Sequence, residues 1–184
     1  TYDRNYFKIA LPAALEGLFM ILLASTDLIM VGALGALSIA AVSIFLQPRL
    51  ILLCFSRSLA SSVTLLVSKK AGAGDTAGSA DIMKKSLTLC AIFMGLLHIL
   101  FYIFLDDIFY LMGANDEYMA EAMAYGPIAL ASVYVTSLTL ILQAVQLGYG
   151  RTSVIMKTNV CGTVVNLALN ALLIFGFGPI PSLG

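Results

Sequence analysis

The chain has 184 residues, of which 60% are hydrophobic and 11% charged, and its formal net charge is zero. Its mean hydropathy of +0.99 is too high for an ordinary soluble core, because soluble domains carry about 25% charged and roughly 45–50% apolar residues. A balanced charge also removes the electrostatic basis for nucleic-acid binding.

The charged residues leave long gaps. No Asp, Glu, Lys or Arg occurs in 86–105, 122–150 or 158–184. Each gap can hold the roughly 20 apolar residues that cross a bilayer. Backbone groups in lipid must bond within their own segment, so such spans are expected to be helices. The expected class is an all-α integral membrane protein with five transmembrane helices at about 9–31, 44–67, 86–105, 127–147 and 160–177.

The first span follows the basic start TYDRNYFKIALP, and its apolar run outlasts a signal-peptide core, so it is expected to be retained. It carries Glu16 and Asp27, eleven positions apart, which at about 100° per residue share one helical face. An ionisable residue at mid-membrane costs about 2.5–3.5 kcal/mol on insertion scales and usually faces a cavity or a partner. Desolvation penalises the charged carboxylate, so uptake of a proton or cation there couples to opening of a cavity. For Asp27 the coupling role is favoured; for Glu16 an ion pair is. Pro12 at the start of this span is a candidate bend that frees backbone carbonyls.

The second span carries Arg49 and Arg57, eight apart and nearly on one face. A structural ion pair with a span-one carboxylate is favoured over a role in holding a substrate anion. In the third span His98, the single histidine, reads as a hydrogen-bonded packing residue. Gln143 and Gln146 in the fourth either line a polar cavity or bond across helices. Asn166 and Asn170 in the fifth are at i and i+4 and share a face; they supply either cation-binding oxygens or interhelical hydrogen bonds, the latter worth under about 2 kcal/mol. Cys54, Cys90 and Cys161 all lie in apolar stretches, where small packing residues are expected rather than disulfides.

The connections carry the orientation signal. Arg4, Lys8, Lys69, Lys70, Lys84, Lys85, Arg151 and Lys157 fall on one side, and Asp106, Asp107, Asp116, Glu117 and Glu121 on the other. The positive-inside rule makes the first side, and with it the amino terminus, cytoplasmic in a multi-pass cell-membrane protein. The Gly/Pro-rich end FGFGPIPSLG reads as a loop ahead of a further helix, so a fragment of a larger protein is expected. Soluble-enzyme signatures are missing: there is no Walker loop, HExxH or CxxC, and the GAG run at 72–74 lacks the strand and Lys of a phosphate-binding loop.

Five segments in order resemble the MATE (multidrug and toxic compound extrusion) family. They are ALPAALEGLFMILLASTDLIMVGALG, SKKAGAGDTAGSA, YLMGANDEYMAEAMAYGPI, LQAVQLGYGRTSVIMKTN and VVNLALNALLIFGFGPIPSLG. The resemblance implies a twelve-helix exporter of two six-helix lobes, with five helices of the N-terminal lobe in this chain and the C-terminal lobe as its missing partner. It implies no enzyme activity and no cofactor, and export of organic cations or amphipathic drugs in exchange for H⁺ or Na⁺. Asp27 matches the family's first-helix cation-site acid, Asn166 and Asn170 its fifth-helix partners, and Pro12 its bending proline. Some members carry Asp where this chain has Asn170, so this site holds one carboxylate fewer, a set that suits Na⁺ or a single proton; Glu16 is the remaining candidate to compensate. A lipid-linked oligosaccharide flippase of the same broad superfamily is the alternative, with Arg49 and Arg57 in its favour. A membrane scaffold and a membrane-embedded enzyme built on Asp106 and Asp107 are remote ones.

Overall fold

The computed structural model describes residues 35–175 without interruption. Ahead of them it describes positions 11, 14, 15, 17, 18, 21, 22, 25, 26, 29, 30 and 32, all helical. Five helices follow Gly35 among the described residues: α1 (Ala36–Gly72), α2 (Thr76–Ile103), α3 (Leu105–Leu111), α4 (Met119–Gly148) and α5 (Thr152–Phe175). Of these, α1, α2 and α4 are long and apolar enough to cross a membrane.

The helices outrun the apolar segments that announce them. α2 begins at Thr76, α4 at Met119 and α5 at Thr152, each well before the first residue expected of a span. The reason is that lipid dictates only the apolar part, whereas turn chemistry dictates where a helix stops. At 1.5 Å per residue, α2 and α4 are about 42 and 45 Å long, against a hydrocarbon core of about 30 Å.

The turn between α1 and α2 shows that chemistry. Gly74 has φ +72°, which a Cβ would strain. Its N–H bonds Ala71 O at 3.0 Å, and the Asp75 N–H bonds Lys70 O at 2.9 Å. This is the Schellman pattern that closes a helix C-terminus. Asp75 then starts the next helix: its carboxylate accepts from Gly78 N at 2.7 Å, satisfying one of the orphan amides of α2. It also accepts from Lys70 Nζ at 2.9 Å. The GAGD sequence is therefore a stop and a start written in four residues, with only 73–75 left as connection. The same closure ends α3, where Gly113 N bonds Tyr110 O and Ala114 N bonds Phe109 O.

α3 lies within the acidic connection between the third and fourth expected spans. Asp106 and Asp107 occupy its first turn, where negative charge is favoured by the helix dipole. Leu105 and Phe109, one turn apart, are buried.

Two compact units make up the chain, residues 40–150 and residues 1–39 with 151–184. In the first, α2 packs along α4, and α3 packs on both. Ala41, Phe45, Pro48, Leu52, Ser56, Val63 and Val67 recur at helical spacing and form the buried stripe of α1. Phe45 meets Phe109 and Tyr125 edge-on, with ring centroids 6.5 and 5.9 Å apart. Small polar residues tie the long helices together, as expected where the solvent is as apolar as the core. Ser56 Oγ donates to Ser137 Oγ at 2.8 Å, and Ser137 Oγ to Val133 O. Thr64 Oγ1 lies 3.2 Å from Ala144 O, and Tyr134 OH 3.2 Å from Ala91 O. Gly148 permits the closest approach: a Cβ there would fall 2.8 Å from Val67 Cβ and 3.1 Å from Thr64 O.

The outer surface of this unit is apolar. Leu96, Ile128 and Ile103 are 64%, 74% and 65% exposed, an arrangement that suits lipid and is a liability in water. In the second unit, Ser25 and Thr26 hydroxyls donate back to Ile21 O and Leu22 O, satisfying themselves on their own helix.

Candidate functional site

Pro12, Glu16 and Asp27 lie outside the described residues. The described part of the expected cation site is on α5. There Asn170 Nδ2 donates to Asn166 Oδ1 at 3.2 Å, so the i, i+4 spacing does bring the two amides together on one face. A carbonyl oxygen has two lone pairs, which leaves Asn166 Oδ1 able to accept or ligate once more. Asn166 is exposed and Asn170 half-buried.

Arg49 and Arg57 are both exposed on α1. The ion pairs among the described residues are Lys70–Asp75 and Lys85–Asp81, and neither arginine joins one. The two arginines also differ in setting. Arg57 lines an open groove of about 650 Å³ with Leu50, Leu53, Cys54, Ser58 and Ser61, whereas Arg49 sits eight residues earlier, about 80° further round the helix. Gln143 and Gln146 are half-buried on α4.

His98 is buried, 7% exposed. Its Nδ1 donates to Met94 O at 2.7 Å, and its ring meets Tyr134 edge-on at 5.5 Å. Its Nε2 has no hydrogen-bond partner among the described residues. The packing role expected of it therefore fits on one side of the ring only. Cys54, Cys90 and Cys161 are free thiols; Cys90 is buried, as a packing residue should be, while Cys54 and Cys161 are exposed.

Both ends of the first unit carry charge-assisted contacts outside the spans. The hydrogen bond from Lys70 and that from Gly78 N hold the Asp75 carboxyl below its usual range, and Asp75 raises the Lys70 ammonium in turn. At the opposite end Tyr110 donates to Asp116 Oδ1 at 2.9 Å, and that bond pushes the phenol above its ordinary value.

Sequence reasoning missed the Ser56–Ser137 link and the groove beside Arg57. The serine pair is 81 residues apart and neither member sits in a distinctive motif. The groove was signalled by Leu50, Cys54, Arg57 and Ser61, spaced by four, three and four positions.

Long apolar helices joined by tight capped turns, tied by small polar residues and bearing an apolar outer face, define a multi-pass α-helical membrane protein. The model of the MatE family matches residues 12–172. A probable multidrug resistance protein NorM of Rhizobium meliloti (strain 1021) is 27% identical over the whole chain. An FAD transporter of Shewanella oneidensis is 25% identical over 98% of it. The crystal structure of a MATE protein in complex with MaD3S superimposes with a TM-score of 0.84 at 24% identity, covering 92% of this chain and 38% of that one. The chain belongs to the MatE family, and its all-α fold is that of these twelve-helix membrane proteins. It spans 39% and 40% of the length of the two curated relatives.

Proposed function

We propose that the full-length protein is a secondary active exporter in the cytoplasmic membrane, and that this chain supplies five helices of its N-terminal lobe, with the amino terminus in the cytoplasm. The observation that carries this reading is the family match over residues 12–172, which includes an aspartate, Asp27, inside an apolar span. The NorM relative, a probable multidrug resistance protein, supports drugs as cargo, and the proposed cargo is organic cations or amphipathic drugs.

Coupling runs through Asp27, with Asn166 and Asn170 as the neutral oxygen donors of the same lobe. One carboxylate with two amide oxygens carries a single negative charge, which matches one H⁺ or one Na⁺. A cation bound there removes the desolvation penalty on the carboxylate and permits closure of the lobe around it. Its release reopens the cavity to cargo. Pro12, which cannot donate to the preceding turn, is the proposed bending residue of the first span, and Glu16 the candidate second acid of the site. Alternating access then needs two lobes moving about a shared cavity, so the transport cycle belongs to the full-length protein.

The test is ethidium transport into inside-out vesicles driven by a pH or a Na⁺ gradient, in wild type and Asp27→Asn. Transport in wild type that is lost in a normally inserted Asp27→Asn supports the reading, and the effective gradient names the ion. An Asp27→Asn protein that transports like wild type refutes it.

A further inference from the structure

Helix α1 has two working faces. One is the buried stripe through Phe45, Leu52, Ser56, Val63 and Val67, committed to α2, α3 and α4. The other runs through Leu50, Cys54, Arg57 and Ser61, which lie roughly 100–160° round the helix from Ser56 at 100° per residue. This second face is turned away from the core of its own unit and lines the groove of about 650 Å³. Pockets of about 300–1,000 Å³ suit drug-sized molecules.

The chemistry of the groove is one-sided. Arg57 contributes five N–H donors in a rigid fork, and Ser58 and Ser61 add hydroxyls on the adjoining turn. Among the described residues neither hydroxyl is committed to another side chain, and no carboxylate lines the groove. Leu53 and Leu50 supply apolar wall one and two turns away. A permanently charged donor set inside an apolar span, with no acid beside it among the described residues, is matched by an acceptor-rich anion attached to an apolar body.

We infer that the Arg57 groove is a cargo subsite that holds the carboxylate, phosphate or sulfonate group of an amphipathic anion or zwitterion. This deepens the export reading and rests on it: the cargo range extends beyond organic cations because one face of α1 supplies the counter-charge. Arg57 binds the anionic group in a fork, Ser58 and Ser61 complete its hydrogen bonds, and the leucines cover the apolar part.

Cys54 is one turn from Arg57 and exposed, so it reports on occupancy without any substitution. The experiment follows alkylation of Cys54 by N-ethylmaleimide, mapped by mass spectrometry, in the detergent-purified full-length transporter with carboxyfluorescein or ethidium added. Carboxyfluorescein is expected to slow modification at least fivefold, and ethidium much less. Equal rates with and without carboxyfluorescein overturn the inference. In parallel, anisotropy titrations of Arg57→Gln are expected to lower the ratio of carboxyfluorescein to ethidium affinity at least tenfold, with Arg57→Lys intermediate because it keeps charge but loses the fork. A parallel loss for both dyes makes Arg57 a structural ion-pair member and overturns the inference. Should Arg57→Gln not fold, the Cys54 result on wild type decides alone. Loss of gradient-driven ethidium export with Cys54 protection intact removes the export reading only; the reverse pattern removes this subsite only.

Discussion

Gly148 and Gly72 are a matched pair for testing how the helices of the first unit are packed. Each is the last residue of a long helix, α4 and α1 respectively, so replacing either by Ala carries the same intrinsic gain, at most about 1 kcal/mol and less at a helix end. Their surroundings differ. A Cβ on Gly72 meets nothing within 4 Å among the described residues, whereas one on Gly148 meets Val67 Cβ and Cγ1 at 2.8 Å and Thr64 O at 3.1 Å. Neither Val67 Cβ nor a helix carbonyl can swing aside, so relief requires α1 and α4 to separate. Overpacking of this kind costs about 1–3 kcal/mol, and separation also lengthens the Thr64–Ala144 hydrogen bond. Gly148→Ala is therefore expected to be net destabilising by about 0.5–2 kcal/mol, and Gly72→Ala neutral or stabilising. Thermal unfolding of the detergent-purified full-length protein, with the exposed Cys54 and Cys161 first blocked by N-ethylmaleimide and unfolding then followed with a thiol-reactive dye that reports exposure of buried Cys90, measures both. A Gly148→Ala protein as stable as Gly72→Ala would falsify the close approach of these two helices.

Three further outcomes follow from named contacts. Asp75→Asn keeps a side-chain cap for α2 but loses the ion pair with Lys70, and Asp75→Ala loses both, so melting temperatures fall in the order wild type, Asn, Ala. The Asp75 carboxyl titrates below its unfolded value, so its contribution is complete above pH about 4 and disappears as pH falls through the lower folded value; a stabilising effect of acid that is absent in Asp75→Ala contradicts this. For Tyr110 the sign reverses: the bond to Asp116 raises the phenol, so its contribution is present below pH about 10 and is lost as pH rises through the folded value. Ultraviolet titration should show one tyrosine ionising late in wild type and at its ordinary position in Asp116→Ala. Ser56→Ala and Ser137→Ala should each destabilise by about 0.6 kcal/mol, up to roughly 1.7, and a double-mutant cycle should show non-additivity across the 2.8 Å bond; additive effects argue that the bond contributes nothing.

What could be read in advance was what lipid imposes. The charge-free runs locate α2 and α4 because twenty apolar residues have few other uses, and the i, i+4 spacing of Asn166 and Asn170 was enough to pair them. Helix ends were less legible because the span criterion ignores solvated turns, although Gly74 followed by Asp75 is a stop-and-cap signal in plain sight. α3 escaped because seven residues carry too little periodicity, and its helix rests on Leu105 and Phe109 finding α4. The GAGD and LGYG segments, which carry much of the family resemblance, prove to be structural: Gly74 and Gly150 take positive φ, and Gly148 lets two helices meet. The two arginines looked equivalent at eight positions apart, yet an 80° offset is enough to put only Arg57 in the groove. Sequence order cannot reveal a link such as Ser56–Ser137, since it depends on the relative height of two helices.

The central claim is that cargo and a coupling cation compete through Asp27 in the N-terminal lobe. The most direct measurement is the release of H⁺ or Na⁺ when ethidium is added to the purified full-length protein, read by a pH indicator in weak buffer and by displacement of radioactive Na⁺. The account predicts close to one cation released per ethidium bound in wild type and none in Asp27→Asn. Ethidium binding with no release of either cation, or equal release from Asp27→Asn, contradicts it.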